Sequence, residues 1–378
     1  MLLVKDMHRN RIIFLTLTLL LISLTGCFTG TVAPAVTDAP PPTPFLPEAI
    51  PTEIDPPGGL VEAVPAAAVP VVPAAGNFPV LPLSIDLLRS RTYAGSDFVI
   101  EQTLDSGSNY SRYVVSYLSD GLKIYALLTV PWEPKPPTGY PVVIFNHGYI
   151  PPDQYRTTER YVAYVDAFAR NGYIVVKSDY RGHGSSEGDP VSAYGDPGYV
   201  IDVLNAVASA RRYPDADPNR VGMWGHSMGG YITLRAMVAN QDIKAGVIWA
   251  GVVASYAEMF NSWFRRGAGP TSTSARSWRT DLVDQYGTPA ENPAFWDTLS
   301  ANAYLPELTG PVQIHHGTGD STVPYAYSTL LDEQIRAVGE VSELYLYPND
   351  DHNIATNRDD ALTLSVVFFN RYVKNAAG

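Results

Sequence analysis

Arg220-Val221-Gly222-Met223-Trp224-Gly225-His226-Ser227-Met228-Gly229-Gly230 runs from a short apolar stretch straight into a Gly-x-Ser-x-Gly turn. A strand that ends in such a turn and passes at once into a helix holds the serine hydroxyl up at the sheet's rim, with Gly225 and Gly229 letting the backbones close up around it. Ser227 is therefore the candidate nucleophile. A chain of this length offers roughly 0.1 chance matches to the bare pattern, so the flanking sequence has to decide.

Upstream, residues 113–118 and 122–130 are rich in β-branched and aromatic residues and are split by Ser119-Asp120-Gly121, which predicts a hairpin of antiparallel edge strands. Beyond Pro131 the pattern becomes an alternation of apolar strands with helical periodicity. Strands are expected at 141–145, 173–179, 220–224, 245–249, 312–316 and 343–347. Helices are expected from Tyr161 (with Tyr164, Val165 and Phe168 on one face), around 200–207, and over 228–240, 325–338 and 359–373. Strands joined by crossover helices make a mostly parallel, doubly wound α/β sheet, whose ligands bind beyond the carboxyl ends of the strands. Residues 251–307 interrupt the alternation and carry Tyr256, Phe260, Trp263, Phe264, Trp278, Phe295 and Trp296, which predicts a lid or cap insertion.

A serine nucleophile needs a base, and the base needs an acid that fixes its tautomer. His226 lies inside the turn and is expected to point elsewhere. His147 and His183 precede the nucleophile, and His315 and His316 fall on a buried strand. His352, in the loop after the last strand, remains as the base. Asp320, after the preceding strand, is the preferred acid over Asp350 and Asp351, which sit too near His352 in sequence to reach its Nδ1. The order Ser, Asp, His is that of the α/β-hydrolase fold. The oxyanion donors are expected to be the backbone N–H of Met228 and that of Tyr149, in the Asn146-His147-Gly148-Tyr149 loop after 141–145. Asp179-Tyr180-Arg181-Gly182-His183-Gly184 reads as a loop that supports the site. No metal-ligand spacing and no phosphate-cradling loop is present, so no cofactor is expected.

These residues resemble the catalytic domain of the prolyl oligopeptidase family within the α/β hydrolases. Gly225 to Gly230 is similar to that family's serine turn, His316-Gly317 through Asp320 to Val323-Pro324 to its acid loop, and Asp351-His352 to its histidine. The resemblance covers roughly residues 115–375. It implies an enzyme that forms an acyl intermediate on Ser227. Family peptidases usually carry a β-propeller that filters peptides, and in them a tyrosine hydroxyl often supplies the second oxyanion donor. The region before Tyr113 is too short and too proline-rich for a propeller, and single-domain relatives include esterases. An ester is therefore the expected substrate, a short peptide the alternative, and a non-catalytic surface binding module the rival from a different class.

The ends of the chain speak to location. The protein has 378 residues, 46% of them hydrophobic, and a formal net charge of -12, which disfavours nucleic acid as a partner. Lys5, Arg9 and Arg11 precede an apolar run over 12–24, and Leu24-Thr25-Gly26-Cys27 resembles the lipobox of bacterial lipoproteins. Residues 1–26 are expected to be a cleaved export signal. Cys27, the single cysteine, is expected to carry a lipid anchor to the membrane, which leaves no pair for a disulfide. Residues 27–84, dominated by Pro, Ala, Val and Thr, read as a tether, and 85–378 as the catalytic domain. Nothing in the sequence fixes an oligomeric state.

Overall fold

The computed structural model describes residues 80–264 and 273–375. The chain divides into two compact units, 1–63 and 64–378, and all described residues belong to the second. The expected export signal, Cys27, most of the proline-rich tether and residues 265–272 of the insertion lie outside the described residues.

Nine strands of the described residues form one sheet. In chain order they are β1 (Val99–Leu104), β2 (Tyr110–Ser119), β3 (Leu122–Pro131), β4 (Tyr140–Asn146), β5 (Ile174–Ser178), β6 (Ala216–His226), β7 (Ile243–Trp249), β8 (Val312–Gly317) and β9 (Ser342–Tyr347). Their order across the sheet is β1-β2-β3-β5-β4-β6-β7-β8-β9. From β5 to β9 all neighbours are parallel, and β1, β2, β3 and β5 pair antiparallel in succession. This is the mostly parallel, doubly wound α/β-hydrolase sheet expected from the sequence. The β2–β3 hairpin turns on Asp120 and Gly121, both at positive φ (51° and 82°), as a two-residue turn between right-twisted strands requires.

One expectation needs correcting. β2 and β3 are interior strands, because β1 covers β2 and β3 pairs with β5. β1 is the true edge. Val99 to Thr103 are all exposed, so no apolar alternation marks it in the sequence; its signal was absent for a physical reason.

Alternation along the central strands splits the core between two faces. Val142 and Ile144 of β4 pack with Val203 and Leu204 of α3 (Gly198–Arg212), Ile232 of α4 (Met228–Ala239) and Leu331 of α8 (Ala326–Ala337). Val143 and Phe145 face the other way, onto Phe168 of α2 (Val162–Arg170) and Val366 and Phe369 of α9 (Arg358–Phe369). Each such fully buried side chain contributes about 1.5–3 kcal/mol relative to exposure. Two apolar faces explain why β4 and β5 are buried at every position.

The insertion begins after β7 with α5 (Tyr256–Glu258), capped by a reciprocal pair of bonds between Ser255 and Glu258, and a π-helical turn (Met259–Trp263). It continues through α6 (Thr273–Tyr286) and α7 (Pro293–Leu299) to a 3₁₀ turn (Ala301–Glu307). Tyr256, Trp263, Phe295 and Trp296 are buried in the same core as α4. Trp263 Nε1 donates to the Thr322 carbonyl at 2.9 Å, and Ser262 Oγ meets Tyr327 Oη at 2.5 Å. The described parts of this segment are thus keyed into the domain and lean on the loop that follows β8. Among the described residues no helix is long and apolar enough to cross a membrane.

Candidate active site

The strand order reverses direction at β4, whose two neighbours β5 and β6 follow it on opposite sides. Such a switch point opens a crevice at the carboxyl ends of the strands. Asn146, the last residue of β4, lies in register with Gly225 near the end of β6. The loop after one strand carries His147 to Tyr149, and the turn after the other carries Ser227.

Ser227 adopts φ 55°, ψ -117°, a conformation that costs a non-glycine residue about 1–3 kcal/mol and persists only where the surroundings enforce it. The enforcement is visible. Its N–H donates to the Trp249 carbonyl at 2.9 Å, and its own carbonyl accepts from Gly230 and Val252 at 3.0 and 3.2 Å. A Cβ on Gly229 would stand 2.0 Å from the Asn146 carbonyl oxygen, and one on Gly225 2.2 Å from that of Gly229. Only glycines let α4 start this close to β4. Met228 is the first residue of α4, where N–H groups have no partner inside the helix and the helix dipole favours negative charge. Tyr149 follows β4 on the other side of the crevice, its side chain 62% exposed.

Asp320 and His352, on the loops after β8 and β9, meet directly: His352 Nδ1 lies 2.7 Å from Asp320 Oδ2. The acceptor is a carboxylate, so the proton sits on Nδ1 and Nε2 is left as the basic nitrogen. The Asp320 side chain is buried and saturated with donors. Oδ1 accepts from the N–H groups of Thr322 (2.7 Å) and Val323 (3.0 Å), and Oδ2 also takes His316 Nε2 at 3.0 Å. Burial alone would raise its pKa, but the bonds from His316 and His352, with the Val323 N–H, hold it well below the usual carboxylate range. A permanently charged carboxylate beside His352 stabilises the imidazolium that forms when the ring takes a proton.

Asp350, the rival acid, is occupied elsewhere. Its carboxylate accepts from the N–H groups of Asp351, Thr356 and Asn357 at 2.9, 3.1 and 3.0 Å and from Asn357 Nδ2 at 2.8 Å. It ties down the loop that carries His352. In the loop after β5, Arg181 forks onto buried Asp202, with Nε 3.0 Å from Oδ2 and the second nitrogen 2.7 Å from Oδ1. The ion pair fixes that loop beneath the site. His147 is fully buried between the rings of Tyr155 and Tyr180, at centroid distances of 4.6 and 4.2 Å, and burial drives its pKa well down.

His226 does not point away from the site. Its ring lies 4.7 Å from that of His352, and its Nε2 meets the His352 carbonyl at 2.9 Å. Neither this contact nor the His316 bond to Asp320 follows from the sequence, in which His226 reads as part of the turn and His316 as part of a buried strand. Among the described residues no cluster of His, Cys, Asp or Glu is grouped to hold a metal ion.

The prolyl oligopeptidase family model matches residues 160–376, more than half of the chain. The uncharacterized peptidase YtmA of Bacillus subtilis is 25% identical over 259 residues, 67% of this chain and 91% of the relative. The chain spans 38% or less of the length of several longer relatives. Among solved structures, the acylaminoacyl peptidase of Pyrococcus horikoshii matches with a TM-score of 0.58 and 23% identity, over 71% of this chain and 43% of that one. Acetyl xylan esterase 1 of Thermoanaerobacterium sp. JW/SL YS485 matches with a TM-score of 0.56 and 18% identity, over 76% and 91%. Two of these relatives are named as peptidases and one as an esterase, the two solved structures share the fold, and the chain belongs to the prolyl oligopeptidase family and is a serine hydrolase.

Proposed function

We propose that the protein is an exported, lipid-anchored serine hydrolase that cleaves carboxylic esters of small molecules through an acyl-enzyme. Ser227 Oγ attacks the carbonyl carbon while His352 Nε2 takes its proton. Asp320 holds the imidazole and its positive charge, and the N–H groups of Met228 and Tyr149 receive the oxyanion. His352 then protonates the leaving alcohol, and water repeats the sequence to release the acid. The single observation that carries this reading is Asp320, a buried carboxylate saturated by four donors and aimed at His352 Nδ1.

The preference for esters follows from the proline-rich composition of the sequence ahead of Tyr113, which reads as a tether and not as a propeller of the kind that filters peptides. Among the described residues, 80–109 contribute α1 (Ile85–Ser90) and the edge strand β1. The matches to peptidases favour the alternative, a serine peptidase acting on short peptides. Comparing p-nitrophenyl esters of short acids with peptide p-nitroanilides decides between them. Higher kcat/KM on the esters is expected; a clear preference for anilides would make the protein a peptidase.

Membrane attachment through Cys27 rests on the sequence 24–27 and on the tether that follows it. Replacing Cys27 by serine is expected to abolish incorporation of a labelled fatty acid and to move the protein out of the membrane fraction. Unchanged incorporation would overturn the anchor.

A further inference from the structure

We propose that Tyr161 and His226 are positioning residues that tie the oxyanion loop to the loop bearing the base. The proposal rests on the roles given above to Tyr149 and His352, and it adds two residues to the reaction that touch neither substrate nor Ser227 Oγ.

Hydrogen-bond chemistry orders this connection in one direction. The His352 carbonyl can only accept, so His226 Nε2, 2.9 Å away, must carry a proton. Burial, aided by the neighbouring His352 ring, pushes the pKa of His226 down to about 3, so the imidazole is neutral and its Nδ1 must accept. Tyr161 Oη stands 2.8 Å from that Nδ1 and is its donor. The same oxygen in turn accepts the N–H of Gly148 at 3.0 Å. The chain therefore runs from the Gly148 N–H through the Tyr161 hydroxyl and the His226 ring to the His352 carbonyl. Each proton has one place to be.

Its two ends lie in the two loops that carry the proposed oxyanion donor and the proposed base. The Gly148 N–H belongs to the peptide just before the one whose N–H, on Tyr149, is the second oxyanion donor. The His352 carbonyl belongs to the residue whose ring must swing no further than Ser227 and Asp320 allow. Between them lies His226, adjacent to Ser227 in the chain.

Three further features fit a built device. Arg160 and Tyr161 both adopt left-handed backbone, with φ 55° and 52°, which non-glycine residues rarely do in succession; this turn delivers the Tyr161 hydroxyl ahead of α2. A Cβ on Gly148 would lie 2.8 Å from Tyr161 Oη and 3.1 Å from His226 Nδ1, on top of the bond between them. Tyr164, one turn after Tyr161, donates to the carbonyl of Asn353 at 3.3 Å, so His226 and Tyr164 hold the successive carbonyls of His352 and Asn353. Packing alone does not account for the hydroxyl: the Tyr161 ring contacts with Phe145 and Trp224 would survive as phenylalanine.

The test is Tyr161→Phe, with His226→Leu and the double variant, in the full chain. Tyr161→Phe is expected to lower kcat/KM for a p-nitrophenyl ester by about 10- to 100-fold. It should weaken binding of an alkyl boronic acid, which mimics the tetrahedral intermediate, by a similar factor. KM should stay close to that of the wild type, and the thermal midpoint should fall only modestly, by what the orphaned Gly148 N–H and His226 Nδ1 cost. Because both residues act through one chain of bonds, the double variant should lose no more than His226→Leu alone, and His226→Gln, which keeps a donor toward His352, should recover part of the loss. Wild-type kcat/KM and boronate affinity in Tyr161→Phe, or losses that multiply in the double variant, would overturn the proposal. Should Tyr161→Phe not fold, the contrast between His226→Leu and His226→Gln reads the same chain, and equal activities there would overturn it. A wild type that turns over no ester removes the serine-hydrolase reading and this proposal with it; normal wild-type turnover beside an unimpaired Tyr161→Phe removes this proposal alone.

Discussion

Replacing Ser227 by alanine is expected to lower kcat on a cleavable ester by about 10⁶-fold while leaving the fold intact. The backbone explains the second half. Alanine and serine bear the same strain at φ 55°, and the bonds that hold this residue, to Trp249, Gly230 and Val252, are all made by its main chain. Only Oγ is lost, so the unfolding free energy should move by no more than about 0.5 kcal/mol. Adding His352→Ala should cost little more, because nucleophile and base act as one unit. Steady-state kinetics with a thermal melt checks both halves, and activity within tenfold of the wild type would place the nucleophile elsewhere.

Asp320→Asn is the second large effect, about 10⁴-fold in kcat. One carboxylate oxygen takes two backbone N–H groups and the other takes His352 Nδ1 and His316 Nε2. His316 Nε2 also faces the Val323 carbonyl at 3.1 Å, which fixes its proton there. An asparagine must turn its NH₂ toward one of these donor pairs. If it faces the imidazoles, His352 relieves the clash by shifting its proton to Nε2, the tautomer that cannot act as base. The variant should also lose stability in a pH-dependent way. The folded pKa of Asp320 lies below the unfolded value, so its stabilisation is present above about pH 4 and is lost on acidification. Wild type and variant should therefore converge in stability at low pH. The acid limb of the wild-type kcat/KM profile should have unit slope, since Asp320 stays ionised and His226 stays neutral down to about pH 3. A slope of two, or a variant with more than a tenth of wild-type kcat, would contradict these roles.

The central strands were legible because both their faces are buried, and runs such as Val142 to Phe145 leave no other reading. The residues after them inherit positions at the carboxyl edge, so motif, elimination and strand placement nominate Ser227, Asp320 and His352, and the structure brings the last two into contact. β1 was illegible because an exposed edge strand needs no apolar pattern. The roles of His226, His316 and Tyr161 were hidden for a different reason. The contacts of His226 and Tyr161 join residues far apart in the chain, and one depends on a backbone carbonyl, His352, that no side-chain pattern reports; His316 reaches Asp320 only four residues on, but on a buried strand nothing in its sequence sets it apart from a core residue. The aromatic insertion was half legible: its composition marked an interruption and led to the expectation of a lid or cap, but burial of Tyr256, Trp263 and Trp296 in the main core depends on tertiary packing, which sequence spacing does not reveal.

The most direct measurement is covalent labelling with a fluorophosphonate followed by mass analysis of the digested protein. Phosphonylation of Ser227 alone, lost in Ser227→Ala and strongly slowed in Asp320→Asn, is the predicted result. No labelling of the folded wild type, or labelling that survives Ser227→Ala, would contradict the account.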